Sequence, residues 1–365
     1  MRQSSATFGL GSGGLVVIGS GAILVGATTL LLLLISFEIM LLAALALLRN
    51  TSKSERALEA LSEMFLWALG GSALLIMGFV MYSGGGLWYA GSGQFALYAA
   101  EGASYLLLMG FGVKIPLWPF ISWLLKAHVE ASTEFSILLS GFLVKFGIWG
   151  LVRVGELGDF AGWAQVVTCV ALIGILEAVA RIGAQVDLKR IVALTTVVEA
   201  NWMALCLVSG VAALETVGYW LLFMHCLTTT SEFYLVEALY RRYGTRNILC
   251  MGGLGHTHPT LWRLSIGVVL VTIGFPGSSL FAAKMVFLTS MAGVSLTLFV
   301  VLGFFFLVVL PLVFMRIWVP IWFGQGHRAG GGDLTLHEAL AIGIPLLGSL
   351  LLGFGPVGLG AIRWD

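Results

Sequence analysis

Three lysines and two glutamates sit inside runs that otherwise read as hydrocarbon-facing. Lys114 lies in GFGVKIPLWPF (110–120), two residues before Pro116 and five before Pro119. Lys145 lies in LLSGFLVKFG, Lys284 in FPGSSLFAAK, Glu38 in LLLLISFEIMLL and Glu199 in LTTVVEANWMAL. A lysine at the centre of a bilayer costs about 3 kcal/mol on the lenient insertion scale, so residues of this kind are kept for a task or paired. Amines and carboxylates interleaved in a dry interior are suited to proton exchange. Burial disfavours a charged amine, and a carboxylate drawing near restores it. Position along the chain suggests two pairs, Glu38 with Lys114 and Glu199 with Lys284. His225, followed by Thr228, Thr229, Thr230, Ser231, Glu232 and Glu237, adds polar groups able to carry a water chain. Glu232 and Glu237 are second-rank candidates, because acids near a span end also snorkel. Any one lysine has a plainer reading as a tether to a backbone carbonyl. Three of them, with glutamates and helix breakers at matching places, favour a route.

The elements that must hold these groups follow from composition. The chain has 365 residues, 59% hydrophobic and 10% charged, with mean hydropathy +1.01. Soluble domains run near 25% charged, so the class is an all-α polytopic membrane protein. Apolar runs long enough for a helix to cross about 30 Å of hydrocarbon fall near 8–26, 28–48, 58–82, 99–125, 133–153, 159–180, 191–209, 213–239, 262–290, 295–323 and 338–357. That predicts about eleven transmembrane helices in a single membrane domain, 1–365. With this threading, fourteen basic residues share one side and only Arg153 and Arg363 fall on the other. A wrong helix count would scramble that segregation. Lys114, Lys145 and Lys284 belong to neither side.

Prolines and glycines interrupt the fourth span (KIPLWP) and the ninth (GFPGSS, 274–279), so each is expected to have a broken centre. Residues 8–153 and 159–323 then read as two five-helix repeats, with 338–357 as a final helix. An odd number of helices per repeat makes the two inverted, and matching broken helices in inverted halves mark a transport pathway. Trp88, Trp118, Trp123 and Trp163 fit an interfacial belt, and SGGGLWYAGSG (83–93) a flexible connection. Cys169, Cys206, Cys226 and Cys250 form no C-x-x-C pair and read as small buried hydrophobes, with no metal site implied. The first apolar run leads straight into more, unlike a cleavable signal. A net charge of +1 with no basic patch gives no sign of a nucleic-acid partner. Glu177 and Glu215 read as interface or helix-end charges.

One segment carries a specific likeness. GFGVKIPLWPFISWLLKAHVEASTEFSILLSGFLVKFGIWGLVR (110–153) resembles the core of the subunit 4 family of NADH dehydrogenase, the antiporter-like, proton-pumping subunit of respiratory complex I. SFEIMLL (36–42), QVDLKRIVALTTV (185–197), HCLTTTSEFYLVEALYRRYGTR (225–246), FPGSSLFAAK (275–284) and DLTLHEALAIGIPLLGSLLLGFGP (333–356) extend it from about residue 36 to the end. The resemblance implies that Glu38, Lys114, Lys145 and His225 match the family's pathway residues. Two positions depart. Glu199 stands where this subunit has histidine, and Lys284 where it has glutamate, so a basic–acidic pair becomes an acidic–basic one. The family pattern has fourteen helices, so three N-terminal ones are expected to be missing here.

The resemblance further implies proton translocation coupled to quinone reduction elsewhere in NADH:ubiquinone reductase. It implies no redox site and no cofactor on this chain; FMN, iron–sulfur clusters and ubiquinone belong to the whole complex. Expected partners are the sister subunits 2 and 5 and membrane lipid, in the mitochondrial inner membrane rather than a bacterial plasma membrane. Alternatives are a subunit of a multisubunit sodium/proton antiporter and a non-conducting scaffold subunit of the membrane arm.

Overall fold

A computed structural model describes residues 2–51, 55–82, 100–155, 162–293, 295–325 and 329–353. The stretch 83–93 with Trp88, the basic residues Lys53, Arg328 and Arg363, and the part of the last expected span beyond 353 lie outside the described residues. Hydrocarbon offers no hydrogen-bond partner, so a crossing backbone must satisfy itself, and among the described residues it does so as helix. The extended pairing recorded there is one isolated bridge, Asp187 with Asn247. Six helices are long and apolar enough to cross a membrane: Leu30–Thr51, Glu55–Tyr82, Thr133–Gly155, Trp163–Ala184, Leu188–Leu207 and Phe299–Phe323. Four shorter apolar helices accompany them, two of which are parts of one interrupted segment.

The chain divides into two compact units, Met1–Ala171 and Leu172–Asp365. The first contains α1 (Arg2–Val25), α2 (Leu30–Thr51), α3 (Glu55–Tyr82), α4 (Ala100–Lys114), α5 (Ser122–Glu130), α6 (Thr133–Leu138) and α7 (Val144–Gly155). A π-helical turn, Leu139–Leu143, joins α6 to α7. The boundary between units falls within α8 (Trp163–Ala184). The second contains α9 (Leu188–Leu207), α10 (Ala212–Tyr243), α11 (Leu254–Thr257), α12 (Pro259–Thr272), α13 (Ser279–Ala292), α14 (Leu296–Phe304), α15 (Leu310–Phe323) and α16 (Leu336–Leu352).

Each unit has one interrupted segment, and backbone accounting explains how it survives. α4 stops at Lys114 because Pro116 has no N–H to offer. The chain then turns through Leu117 N to Gly112 O (2.9 Å) and Phe120 N to Leu117 O (2.7 Å) before α5 begins. The turn leaves the Val113 carbonyl over, and the Trp123 indole N–H takes it at 3.0 Å. Trp123 is 7% exposed, so it is a buried partner of the break rather than part of an interfacial belt. In the second unit α12 stops at Thr272, and Gly274 and Gly277 cross the gap with φ of 73° and 102°, values L side chains rarely adopt. Ser278 then caps α13, accepting from Phe281 N at 3.2 Å.

α9 is the core helix of its unit: every residue except Arg190 is buried. The cysteine expectation is corrected. Cys206 is buried there, but Cys169 is exposed on α8 and Cys226 and Cys250 are intermediate, because helices bathed in lipid gain nothing by turning a small apolar side chain inward.

A polar latch closes one end of the second unit. Arg242 donates to Glu338 at 2.8 Å and to the Asp333 carbonyl at 3.1 Å. The Asp333 carboxylate accepts from Thr260 N (2.7 Å) and Leu261 N (3.1 Å) in the first turn of α12. Burial alone would raise the Asp333 carboxyl; the N–H groups of Thr260, Leu334 and Leu261 hold it below the ordinary carboxylate value. A depressed folded-state value means that the stabilisation is complete above the unfolded carboxyl's range and fades as pH falls through the folded one. Asp333→Asn should therefore cost about 1 kcal/mol near neutral pH, the usual worth of such a cap. The gap between variant and parent, read by thermal unfolding in detergent, should close in acid. A gap that stays constant with pH overturns the assignment.

Candidate functional site

In the first unit, the closest approach of two helices sets the site. A Cβ on Gly110 would lie 2.9 Å from the Gly71 carbonyl, and one on Gly71 would lie 3.2 Å from the Gly110 carbonyl. Only with small residues on both sides do α3 and α4 meet this closely. The contact sets Ser72, next to Gly71, against Lys114, one turn beyond Gly110. Lys114 Nζ donates to Ser72 Oγ at 3.0 Å, and Ser72 Oγ donates in turn to Glu38 Oε1. Nζ and Glu38 Oε1 are 3.7 Å apart. The unit therefore holds a serine-bridged ion pair, ammonium to hydroxyl to carboxylate, with the Phe37 ring centroid 4.5 Å from the ammonium. Lys114 is 8% exposed, whereas the Glu38 side chain is 37% exposed on the surface of this chain. A cavity of about 30 Å³, room for one or two waters, is lined by Phe37, Met40, Met64, Val113, Lys114 and Trp123.

Lys145 is served by the π-helical turn. That turn shifts the hydrogen-bond ladder by one residue, and the Ser140 carbonyl within it accepts from Lys145 Nζ. Lys145 is buried.

In the second unit Glu199 on α9 and His225 on α10 face each other, with Glu199 Oε2 3.7 Å from His225 Nε2. Both are buried. Lys284 on α13 is wholly buried and reaches back across its own break to donate to Ile273 O at 2.6 Å. A Cβ on Gly274 would sit 2.8 Å from that Nζ, so the glycine supplies space as well as its backbone angle. Glu199 is within electrostatic reach of Lys284. The partner at contact distance from Glu199 is thus His225, and the group Lys284 grips is a carbonyl. Lys145 and Lys284 take the tether arrangement, while Lys114 takes the ion pair.

The hydroxyls after His225 mostly turn inward on their own helix. Thr228 donates to the Met224 and His225 carbonyls and Thr230 to Cys226 O, while Ser231 ties α10 to α16 through Ile342 O at 2.9 Å. Glu237 lies beside Arg241, 2.9 Å away, in an exposed i,i+4 pair. Glu177 pairs likewise with Arg181. Glu232 behaves otherwise: it is buried and accepts from Thr195 at 3.1 Å and from Thr272 at 2.5 Å.

Ser72, Thr195 and Thr272 were not singled out from the sequence. Ser72 follows two glycines in GGSALLIMGF and reads there as a small packing residue. Thr272 has a sequence signal, since it immediately precedes the GFPGSS breaker.

Interrupted helices in each unit, with buried amines and carboxylates at or beside the interruptions, define the class: an antiporter-like membrane protein. The chain belongs to the NADH:quinone oxidoreductase/Mrp antiporter transmembrane family, whose model matches residues 27–310. It is 29% identical over 331 residues to NADH-ubiquinone oxidoreductase chain 4 of Paramecium tetraurelia, covering 88% of this chain and 69% of that one. It is 28% identical over 297 residues to NADH-quinone oxidoreductase subunit M of Escherichia coli K12, covering 78% of this chain but only 58% of the relative. A chain of Thermus thermophilus respiratory complex I with bound NADH superimposes with TM-score 0.79 at 25% identity, over 90% of this chain and 72% of that one. A chain of the Mrp complex from Dietzia sp. DQ12-45-1b gives TM-score 0.83 at 19% identity over 95% of this chain and 75% of that one, a likeness of fold alone.

The glycine crossing is testable. Gly110→Val must push α3 away and should cost about 1–3 kcal/mol, as overpacking does. Gly70→Ala, where an added Cβ meets nothing within 4 Å, should be neutral. Equal thermal stabilities for the two variants would remove the crossing as the element that sets Ser72 against Lys114.

Proposed function

We propose that the chain is a proton-translocating membrane-arm subunit of NADH:quinone oxidoreductase. In this reading protons pass through Glu38, Lys114, Lys145, Glu199, His225 and Lys284, and quinone reduction elsewhere in the complex drives them. The serine-bridged pair Lys114–Ser72–Glu38 is the observation that carries it. The bridge gives the ammonium two arrangements of similar distance: Ser72 donating to Glu38, or, with Glu38 drawn off, Ser72 donating to the Ala68 carbonyl, now 2.9 Å away. Glu38 is the partly exposed member of the pair and so is the one within reach of a neighbouring subunit. The names of the relatives and the family match support the same reading.

Moving one proton against about 200 mV takes about 4.6 kcal/mol. That is about three powers of ten in proton affinity. A switch of that size needs a dry site, and the apolar lining around Lys114 supplies one. In this proposal the spans number about eleven, the two interrupted segments belong to inverted five-helix repeats, and one final helix follows. The neighbours are the sister subunits 2 and 5 within the mitochondrial inner membrane, and flavin, iron–sulfur and quinone chemistry resides on other subunits. The multisubunit sodium/proton antiporter reading shares this fold, and sodium-dependent proton flux without redox subunits would select it.

Lys114→Ala and Glu38→Gln should leave assembly intact. Both should cut pumping and coupled oxidoreductase activity about tenfold or more, since about 3 kcal/mol of unpartnered intramembrane charge stalls the cycle. Near-normal pumping by an assembled Lys114→Ala complex ends the Lys114 assignment. In the second unit Lys284→Glu should impair pumping, and adding Glu199→Lys should restore part of it. Absence of any rescue counts against direct exchange between those two residues.

A further inference from the structure

α10 carries a second buried acid that a lysine-centred route leaves aside. Glu232 is 3% exposed, and hydroxyls from two other helices bracket its carboxyl. Thr272 Oγ1 of α12 lies 2.5 Å from Oε1, and Thr195 Oγ1 of α9 lies 3.1 Å from Oε2. Each hydroxyl also faces a carbonyl of its own helix, Thr195 toward Val192 O at 2.7 Å and Thr272 toward Val268 O at 2.9 Å. A threonine hydroxyl has one hydrogen to give. Two hydrogens thus face four acceptor oxygens.

That arrangement serves two protonation states. With Glu232 ionised, both hydroxyls turn to the carboxylate, and the Thr272 distance is that of a charge-assisted O–H···O bond. With Glu232 protonated, its own O–H donates to a threonine oxygen, and the hydroxyls swing back to Val192 and Val268. Only two hydroxyl rotations separate the states. A buried carboxylate without such donors would be very costly. One with donors that cannot turn away would be held in a single state.

Beside the carboxyl lies a cavity of about 10 Å³, close to the space one water needs. Thr195, Glu232 and Thr272 form its polar wall, with Ile191, Val269 and Trp318 on the apolar side. Among the described residues lining this space, Glu232 is the one titratable group.

We propose that Glu232, clamped by Thr195 and Thr272, is a reversible proton-binding site of the second unit. Loading forms an O–H bond at the carboxyl and leaves the delivering hydronium as water; unloading returns the same proton to water. The inference rests on the proton-translocating reading and adds to it a station on a carboxyl.

Infrared difference spectra of the assembled complex, oxidised against reduced, test it alongside proton translocation in vesicles. Glu232→Gln should remove a neutral-carboxyl carbonyl band and most of the translocation, and Glu232→Asp should restore part of both. Thr272→Val should shift the band and Thr272→Ser should return it, which a merely space-filling threonine would not do. If Glu232→Gln does not assemble, the Thr272 pair decides alone: a band unmoved in Thr272→Val overturns the proposal. A band and translocation unchanged in Glu232→Gln, with Lys114→Ala inactive, overturns this site and leaves the wider reading standing. A band that vanishes on adding sodium at constant pH gives the site to a metal cation and also overturns it. Full pumping in Lys114→Ala strikes the wider reading instead.

Discussion

The absence of solvent for polar groups inside a bilayer governs this chain. Every interrupted helix there must find internal partners for the groups it frees. At the first interruption the spare Val113 carbonyl goes to an indole. At the second, the Ile273 carbonyl goes to the Lys284 ammonium. At the π-helical turn, the Ser140 carbonyl goes to Lys145. The ionisable residues are thus tied to the irregular backbone that houses them, and two of the three lysines help to satisfy it.

The same constraint produces the difference between the units. Lys114 precedes its break, so its side chain is free to reach a neighbouring helix, where a serine and a glutamate receive it. Lys284 follows its break and folds back onto it. The first unit therefore holds a mobile, partly exposed acid with a bridged ammonium, and the second holds a buried acid facing a histidine. A carboxylate–histidine contact has a different proton chemistry from a carboxylate–ammonium contact, since imidazole can give and take a proton at either nitrogen.

Much of this was legible in the residues. Proline and glycine announced both interruptions, because a missing N–H and a positive φ are properties of single residue types. Hydropathy located the helices to within a few residues, since length and apolarity are what a membrane selects. Glu38 and Lys114 were paired from their positions alone. The partners that complete the site were not legible. Ser72 has no local signal, because its importance comes from a glycine crossing between α3 and α4 that periodicity does not encode. His225 displaced Lys284 as the contact of Glu199 for a similar reason: which of two basic groups lies nearer depends on how α9, α10 and α13 pack. The tryptophan at 123 misled because an indole suits a membrane interface and a buried carbonyl equally well, and only the break decides which is on offer.

The extra residue in the turn from Leu139 to Leu143 has its own consequence for how this sequence can drift. An α-helix advances about 100° per residue. Losing one residue there would regularise the helix, leave the span as oily and nearly as long as before, and swing everything after it by that angle. Insertion into the membrane would proceed unimpaired while Lys145 faced a different neighbour. Length changes at this spot are therefore silent for threading and disabling for whatever the amine does, so substitutions there should be far better tolerated than deletions.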